Sequence, residues 1–593
     1  MARATKDHPG GARDVARDRR YASPPVREAQ LSLRGRRGAP RTGVAQLLVR
    51  KPSAIGDASR GADRAGSPGD GALPPGACAP GAAGQRGVGG ACSASQAAEL
   101  SETFSASTVC FGSLVEFLAG TQAAGLTHEQ LEDRLDRDGR TLLRQLYQDH
   151  LDLRAGREQR IGAVVDADGI VHGTVERGHR RTLETIFGEV VVTRLAYRAK
   201  TTKNLHPTDA ALNLPLERHS HGLRQRCAIE ASRGSYEEAT SALDRHTGVE
   251  LAKRQVEQLA ARAAVDFEAF YDTRPRPIAT RDDVVIISAD GKGVVMRPEG
   301  LRPPTAAAAA KSKTKLKGRL SKGEKANRKR MAEVGAVYTV VPVVRSPEDV
   351  MAPKTSATKP KNAPKATDKW LTASLVDDAA TVIAKIFDEA QRRDPDKHCD
   401  WVALVDGNRH QIDRIEKEAV ARRIEVTVIV DWVHVLEYLW SAGWSFFTEG
   451  DPTAEDWVHD KAIQVLSGKA SIVAASIRRK ATTLRLDPAT RRNADTCADY
   501  LLAKAPYLNY PNALAHGWPI ATGVIEGACR HIVKDRMDIT GARWGLKGAE
   551  AVLKLRALRT NTDWHDYWTF HLAREHQRIH TSRYTHTTIP AAA

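Results

Sequence analysis

"RDDVVIISADGKGVVMRPEG", residues 281–300, decides the fold of this chain. Val284 to Ile287 form a short apolar run with the β-branched content of a buried strand, and Asp290 follows at its end, ahead of Gly291, Lys292 and Gly293. The pattern recurs downstream. "WVALVDG" (401–407) is a strand ending at Asp406, and "IEVTVIVDWVH" (424–434) is one ending at Asp431. "VGAVYTVVPVV" (334–344) is a further strand candidate, while "DDAATVIAKIFDEAQRR" (377–393) and "QIDRIEKEAVARR" (411–423) read as helices. Strands alternating with helices predict a mixed α/β core over 280–440. Residues 441–515 are helical with no comparable strand, and 516–560 are helical again.

Upstream, Thr127-x-x-Gln130 is a capping box leading into Leu131, Leu135, Leu142, Leu146 and Leu153, which predicts a helix. "TLETIFGEVVVTRLAYR" (182–198) alternates apolar and polar residues across Gly188 and Glu189 and predicts a β-hairpin, with Arg194 and Arg198 facing either DNA or water. These segments make up an N-terminal region over 111–204. Within 205–275, "SYEEATSALDRHTGVELAKRQVEQLAARAA" (235–264) reads as two helices joined at Thr247-Gly248. That is either a helix-turn-helix presenting Lys253, Arg254 and Gln255 to a major groove or an ordinary helical hairpin.

The 593 residues exceed what one core usually holds, so several domains are expected. Lysine and arginine total 89 against 72 acids, a net charge of +17, which favours a polyanionic partner such as nucleic acid. The strongest basic stretch lies in a loop over 301–330. "KSKTKLKGRLSKGEKANRKR" (311–330) carries Lys311, Lys313, Lys315, Lys317, Arg319, Arg328, Lys329 and Arg330 and has a single acid. It reads as a flexible phosphate-contacting segment or a solvated run. Residues 352–369, rich in Pro, Ala and Lys, read as a linker.

Seven scattered cysteines with no C-x-x-C pair indicate neither a zinc ribbon nor a disulfide framework and fit a reducing cytoplasm. No apolar run approaches the roughly 18 residues that span a bilayer, so no membrane partner is expected. Residues 1–100 are Gly-, Ala-, Arg- and Pro-rich with no apolar period, the composition of a disordered segment. No methionine stands between Met1 and Met296, which accords with a start codon set too far upstream of a true non-ATG start. The tail, 561–593, holds His565, His571, His576, His580 and His586, but "HQRIH" lacks the Glu of H-E-x-x-H, and a solvated helix is expected in place of a metal site.

Asp290 and Asp406 would emerge where a sheet opens. Glu526 lies in a predicted helix that carries Arg530 and Lys534 on one face at i, i+4 spacing. Hard oxygen ligands of this kind suit Mg²⁺ or Mn²⁺, and two such ions can activate a nucleophile and stabilise a leaving oxygen. Equally, Asp406 and Asp431 fit helix N-caps, and Glu526 fits a first-turn acid favoured by the helix dipole.

Five runs, "SADGKGVVMRPEG" (288–300), "RLSKGEKANRKRMAEVGAVY" (319–338), "VDGNRHQIDRI" (405–415), "VDWVHVLEYLW" (430–440) and "TGVIEGACRHIVKDRMDITGARWG" (522–545), together resemble the ISKra family of bacterial insertion-sequence transposases over about residues 111–560. Relatives of this layout are similar to the Mutator-like DDE group. The resemblance implies an RNase H-like catalytic domain interrupted by an α-helical insertion between the second Asp and the Glu. It implies Asp290, Asp406 and Glu526 as catalytic metal ligands for two Mg²⁺ or Mn²⁺ ions. Asp431-x-x-His434 matches the (C/D)-x-x-H signature of that interval, as supporting or DNA-positioning residues along with Arg530 and Lys534. Arg543 and Trp544 fit the family pattern, with the tryptophan either stacking on a displaced base or lying in the core.

The expectation is therefore an α/β multidomain, cytoplasmic, nucleoid-associated bacterial transposase. It would bind terminal inverted repeats and target DNA, cleave and transfer strands, and act as a homodimer or larger synaptic assembly. The rivals are an RNase H-like nuclease or resolvase without strand transfer and an inactive DNA-binding derivative.

Overall fold

The computed structural model describes residues 100–311, 328–352, 362–539 and 541–590. The low-complexity N-terminus, with the question of its start, lies outside the described residues. So do Lys313, Lys315, Lys317 and Arg319 and the central part of the 352–369 linker.

Helix α1 (Ser105–Ala119) is followed by α2 (His128–Arg157), which starts at the capping box. The Thr127 N–H donates to Gln130 Oε1 at 2.9 Å, and the Gln130 N–H donates to Thr127 Oγ1 at 3.4 Å. A small ribbon, β1 (Val164–Val165) with β2 (Val171–His172), leads to the hairpin β3 (Thr174–Thr185) and β4 (Gly188–Arg198). Its arginines are engaged within the protein: Arg194 is buried and pairs with Asp209 at 2.5 Å, and Arg198 pairs with Glu176.

Three helices follow, α3 (His221–Arg233), α4 (Tyr236–Thr247) and α5 (Lys253–Ala263). Gly248 ends α4 at φ +67°, a left-handed C-cap that favours glycine. Val256, Leu259 and Ala260 of α5 belong to one continuous apolar core with the sheet described next.

That sheet comprises β5 (Val284–Val295), β6 (Lys329–Val340), β7 (Ala366–Ser374), β8 (Asp400–Val405) and β9 (Thr427–Val430), with α6 (Ala379–Arg393) before β8 and α7 (Arg409–Arg422) after it. The strand order is β7-β6-β5-β8-β9, antiparallel across β7, β6 and β5 and parallel across β5, β8 and β9. The chain is thus mixed α/β. Three sequence boundaries change. β5 does not end at Asp290, because its ladder with β6 continues to Val295–Lys329 while its pairing with β8 stops at Ser288–Leu404. The basic loop gives way to a short helix, Pro303–Lys311, and to β6, which starts at Lys329. β7 occupies the end of the expected linker and runs on into Ser374.

Helix α6 sits so close to β6 that a Cβ on Gly335 would lie 2.8 Å from the Ile386 side chain. Gly335 pairs with Ala289, so α6 covers the Ala289 face and the pleat sends Asp290 to the opposite face.

Beyond β9 come α8 (Trp432–Gly443) and an all-helical excursion, α9 (Pro452–Leu466), α10 (Ala470–Thr483), α11 (Pro488–Lys504) and the short Tyr510–Ala515. The excursion returns to where it left: the Trp432 N–H donates to the Ile520 carbonyl at 2.8 Å, and the Tyr510 hydroxyl to the Val430 carbonyl at 2.8 Å. α12 (Gly523–Ala528), a π-helical turn (Cys529–Lys534), α13 (Leu546–Thr560) and α14 (Trp564–Ile579) complete the order.

The tail is not a solvated helix. His571 is fully buried, its Nδ1 2.7 Å from Asp266 Oδ2 and its Nε2 3.1 Å from Arg224 Nη1. His576 and His580 reach the carbonyls of Ala210 and Leu214. Polar side chains that satisfy one another can be buried, which the hydrophobic pattern alone does not reveal. Among the described residues no helix is long and apolar enough to cross a membrane.

Candidate active site on three neighbouring parallel strands

Parallel register places the acids. Ser288 pairs with Leu404 and Leu404 with Ile429, so two residues further along each strand Asp290, Asp406 and Asp431 fall in one row. Three neighbouring strands thus present a carboxylate at the same level, and their environments differ.

Asp290 accepts from the Gly291 N–H at 2.6 Å and from the Cys529 thiol at 3.1 Å. Burial above all, with the Asp406 charge adding to it, pushes its pKa above the usual carboxylate value, against the pull of the Cys529 and Gly291 hydrogen bonds and of Lys292. Lys292, two residues on along β5, shares this face. The Cys529 thiol is itself pushed well up by burial and by Asp290, so it remains a protonated donor.

Asp406 takes the Asn408 N–H at 2.8 Å, a local turn that aims the chain into α7. Gly407 has φ +91°, and a Cβ there would meet the Tyr500 hydroxyl at 3.1 Å and Lys504 Cε at 3.5 Å. The last long helix of the excursion therefore forms a wall beside the second acid. Tyr500 donates to the Asp406 carbonyl at 3.3 Å and stacks on Tyr438 of α8, with ring centroids 4.0 Å apart.

Asp431 is completely buried and caps α8 through the Val433 N–H at 3.0 Å. It also receives the Thr522 N–H at 3.2 Å and the Thr522 hydroxyl at 2.5 Å, and its second oxygen lies 2.9 Å from His434 Nδ1. Each carboxylate oxygen thus holds two partners. The Asp431 hydrogen bond raises the His434 pKa to about 9, aided by the Asp431, Glu437 and Asp406 charges and opposed by burial, so the imidazole is charged at neutral pH.

Glu526 is exposed on α12, and one of its oxygens, one Asp431 oxygen and one His434 nitrogen lie within 4.8 Å of one another. This spacing could suit a metal, but the four hydrogen bonds on Asp431 leave it little capacity to ligate. The expected continuous face of Glu526, Arg530 and Lys534 is broken by the π-helical turn, which changes the angular step just after Cys529 meets Asp290. All three remain exposed, and Arg530 lies 3.8 Å from Asp535.

Several expected DNA contacts have other work. Trp544 is core, with its indole N–H on the Met537 carbonyl at 3.0 Å and Arg536 over its ring, so it is not placed to stack on a base. Arg330 donates to the carbonyls of Leu375 at 2.5 Å and Gly300 at 3.1 Å. Lys253 pairs with Glu237 at 2.9 Å, and Gln255 Oε1 accepts the Ala252 N–H at 2.8 Å, whereas Arg254 is exposed and has no such tie among the described residues. Lys311 and Lys329 are exposed at the ends of the Pro303–Lys311 helix and of β6. Arg328 adjoins β6 and Arg543 precedes the buried tryptophan.

Sequence reading missed Thr522, Cys529, Tyr500 and Lys504. Only Thr522 and Cys529, inside the run around Glu526, had a local signal. No protein-family model matches the chain, and no curated protein matches it significantly.

Proposed function

We propose that this chain is a DDE-type transposase that cleaves phosphodiesters at the ends of a DNA element and joins the freed strand to target DNA. The observation that carries this reading is the row formed by Asp290 and Asp406 on adjacent parallel strands and continued by Asp431, beside which a helix lying beyond an all-helical excursion sets Glu526. A mixed sheet with the first acid on its central strand supports the RNase H-like interpretation, and the excursion corresponds to the insertion that the resemblance implies.

The donor set fits a hard divalent cation. Asp290 and Asp406 offer oxygen ligands, and the burial and mutual repulsion that raise the Asp290 pKa are relieved by a positive charge between them. Asp290, Asp406 and Glu526 would hold Mg²⁺ or Mn²⁺, which when bound as a pair supplies an activated water and stabilisation of the leaving oxygen. The protein's own groups do the rest. Lys292 and Lys504 border the acids and would bind the phosphate that enters. Protonated His434, fixed by Asp431, lies beside Glu526 and offers it a positive partner. Hydrolysis leaves a 3′-hydroxyl, and its attack on a target phosphodiester exchanges one P–O bond for another. The helical pair α4 and α5 would read the element ends as a helix-turn-helix, with Arg254 toward the groove. Two ends must be handled together, so a homodimer or larger assembly is expected on DNA.

The test is Asp290→Asn, Asp406→Asn and Glu526→Gln, each assayed for Mg²⁺-dependent cleavage with DNA binding measured in parallel. Cleavage should fall at least 100-fold in each, an order-of-magnitude expectation for loss of a group acting in the transition state, while binding persists. Wild-type cleavage in any one removes that residue. Pre-cleaved ends that fail to join target DNA would reduce the reading to a nuclease.

A further inference from the structure

The excursion of helices separates Asp431 from Glu526 in sequence, yet the two ends of the excursion are bonded to each other. Thr522 is 2 % exposed and immediately precedes α12. Its hydroxyl donates to Asp431 Oδ2 at 2.5 Å and its N–H to Asp431 Oδ1 at 3.2 Å. Its carbonyl accepts the Glu526 N–H at 3.1 Å, the first turn of the helix that carries the third acid. The backbones are tied as well, Trp432 N–H to Ile520 carbonyl at 2.8 Å.

We propose that Thr522 is a positioning residue: with Asp431 it forms a clasp that sets the height and rotation of α12, and so the place of Glu526 beside Asp431 and His434. This rests on the reading of Glu526 as a metal ligand. It also gives Asp431 a definite role. An acid with two hydrogen bonds on each oxygen is not a ligand but the anchor to which both Thr522 and His434 are fastened. Thr522 reaches the Glu526 oxygens only through the helix, so its effect is on placement.

Two complementary changes separate placement from mere packing. Thr522→Val keeps the volume and removes the hydroxyl, whereas Thr522→Ser keeps the hydroxyl and removes a methyl. Amide hydrogen exchange over residues 522–528 and Mn²⁺ binding by electron paramagnetic resonance are followed in the full chain, alongside cleavage. In Thr522→Val the α12 amides should exchange about 10-fold faster and Mn²⁺ should bind about 10- to 100-fold more weakly, the range seen when a group orienting a ligand is lost. Thr522→Ser should stay within about threefold of the wild type on both, a small fraction of that range. Wild-type exchange and Mn²⁺ affinity in Thr522→Val, or equal impairment in both variants, would overturn the clasp. A wild-type protein that binds Mn²⁺ but does not cleave DNA counts against the transposase reading alone, because exchange and Mn²⁺ binding report on the clasp without catalysis.

Discussion

The Cys529 thiol donates to Asp290 across 3.1 Å, joining the π-helical turn after α12 to the central strand of the sheet. Asp290 thereby sits in a buried setting, beside a second acid, with its charge only partly compensated. A carboxylate whose pKa is raised on folding is one whose ionised form opposes folding at neutral pH.

Asp290→Asn should therefore abolish cleavage while raising stability by about 1 kcal/mol in the absence of divalent ions, a typical size for removing such strain. Thermal unfolding checks it. Added Mg²⁺ should stabilise the wild type and leave Asp290→Asn unchanged. A melting temperature lowered by the substitution would contradict the account of this site.

Gly407→Ala should cost about 1–2 kcal/mol, since the φ of +91° disfavours any side chain and the new methyl would meet the Tyr500 hydroxyl. Its effect on cleavage should exceed its effect on stability, because Asp406 is the adjacent residue. Parallel denaturant melts and cleavage assays measure the two. Equal losses would show a general folding defect.

Acid should loosen the C-terminal helix. Burial works against ionisation of Asp266, but the His571 and Arg578 partners outweigh it and hold its carboxyl below the usual range; Arg224 does the same for Glu575, again against burial. Depressed carboxyl pKa values contribute stability that is present above the unfolded values, near 3.8 and 4.5, and is lost as pH falls through the folded ones. Stability should decline as pH drops below about 4.5, and Asp266→Asn should flatten that decline while costing about 3 kcal/mol at neutral pH. Melts across a pH series decide it.

Arg254→Ala should weaken binding to the element end by about 1–3 kcal/mol and leave non-specific DNA binding nearly unchanged. Lys253→Ala should do less, because Lys253 is paired with Glu237. Titration of both variants on specific and scrambled duplexes measures the difference. Equal loss on both duplexes would make α5 a phosphate contact only.

Local signals carried much of the sequence reading. The capping box at Thr127 and the hairpin over 182–198 depend on neighbours a few residues apart, and both form, although the turn falls at Ile186–Phe187 and Gly188 and Glu189 are already paired with Thr185 and Glu184. β8 and β9 are continuous apolar runs and were visible for the same reason. β7 was not, since its outer half, Ala366 to Lys369, is polar and only Trp370 to Ser374 is buried. The acids were legible one by one, although Asp290 lies inside β5 and not at its end. Their alignment was not, because it follows from parallel register between strands far apart in sequence. Of the two readings open for Trp544 the core one holds, whereas the tail departs from a solvated helix at His571, which is buried between Asp266 and Arg224.

The backbone bond between Trp432 and Ile520 means that the chain leaves and rejoins the sheet at nearly one point. The intervening helices nonetheless share the apolar core of the sheet and are bonded to the segment after β6, where the Val343 N–H donates to the Gly517 carbonyl at 2.9 Å. What they supply is the Tyr500 and Lys504 wall next to Asp406, so the helices add a boundary to the site while leaving its scaffold to the sheet.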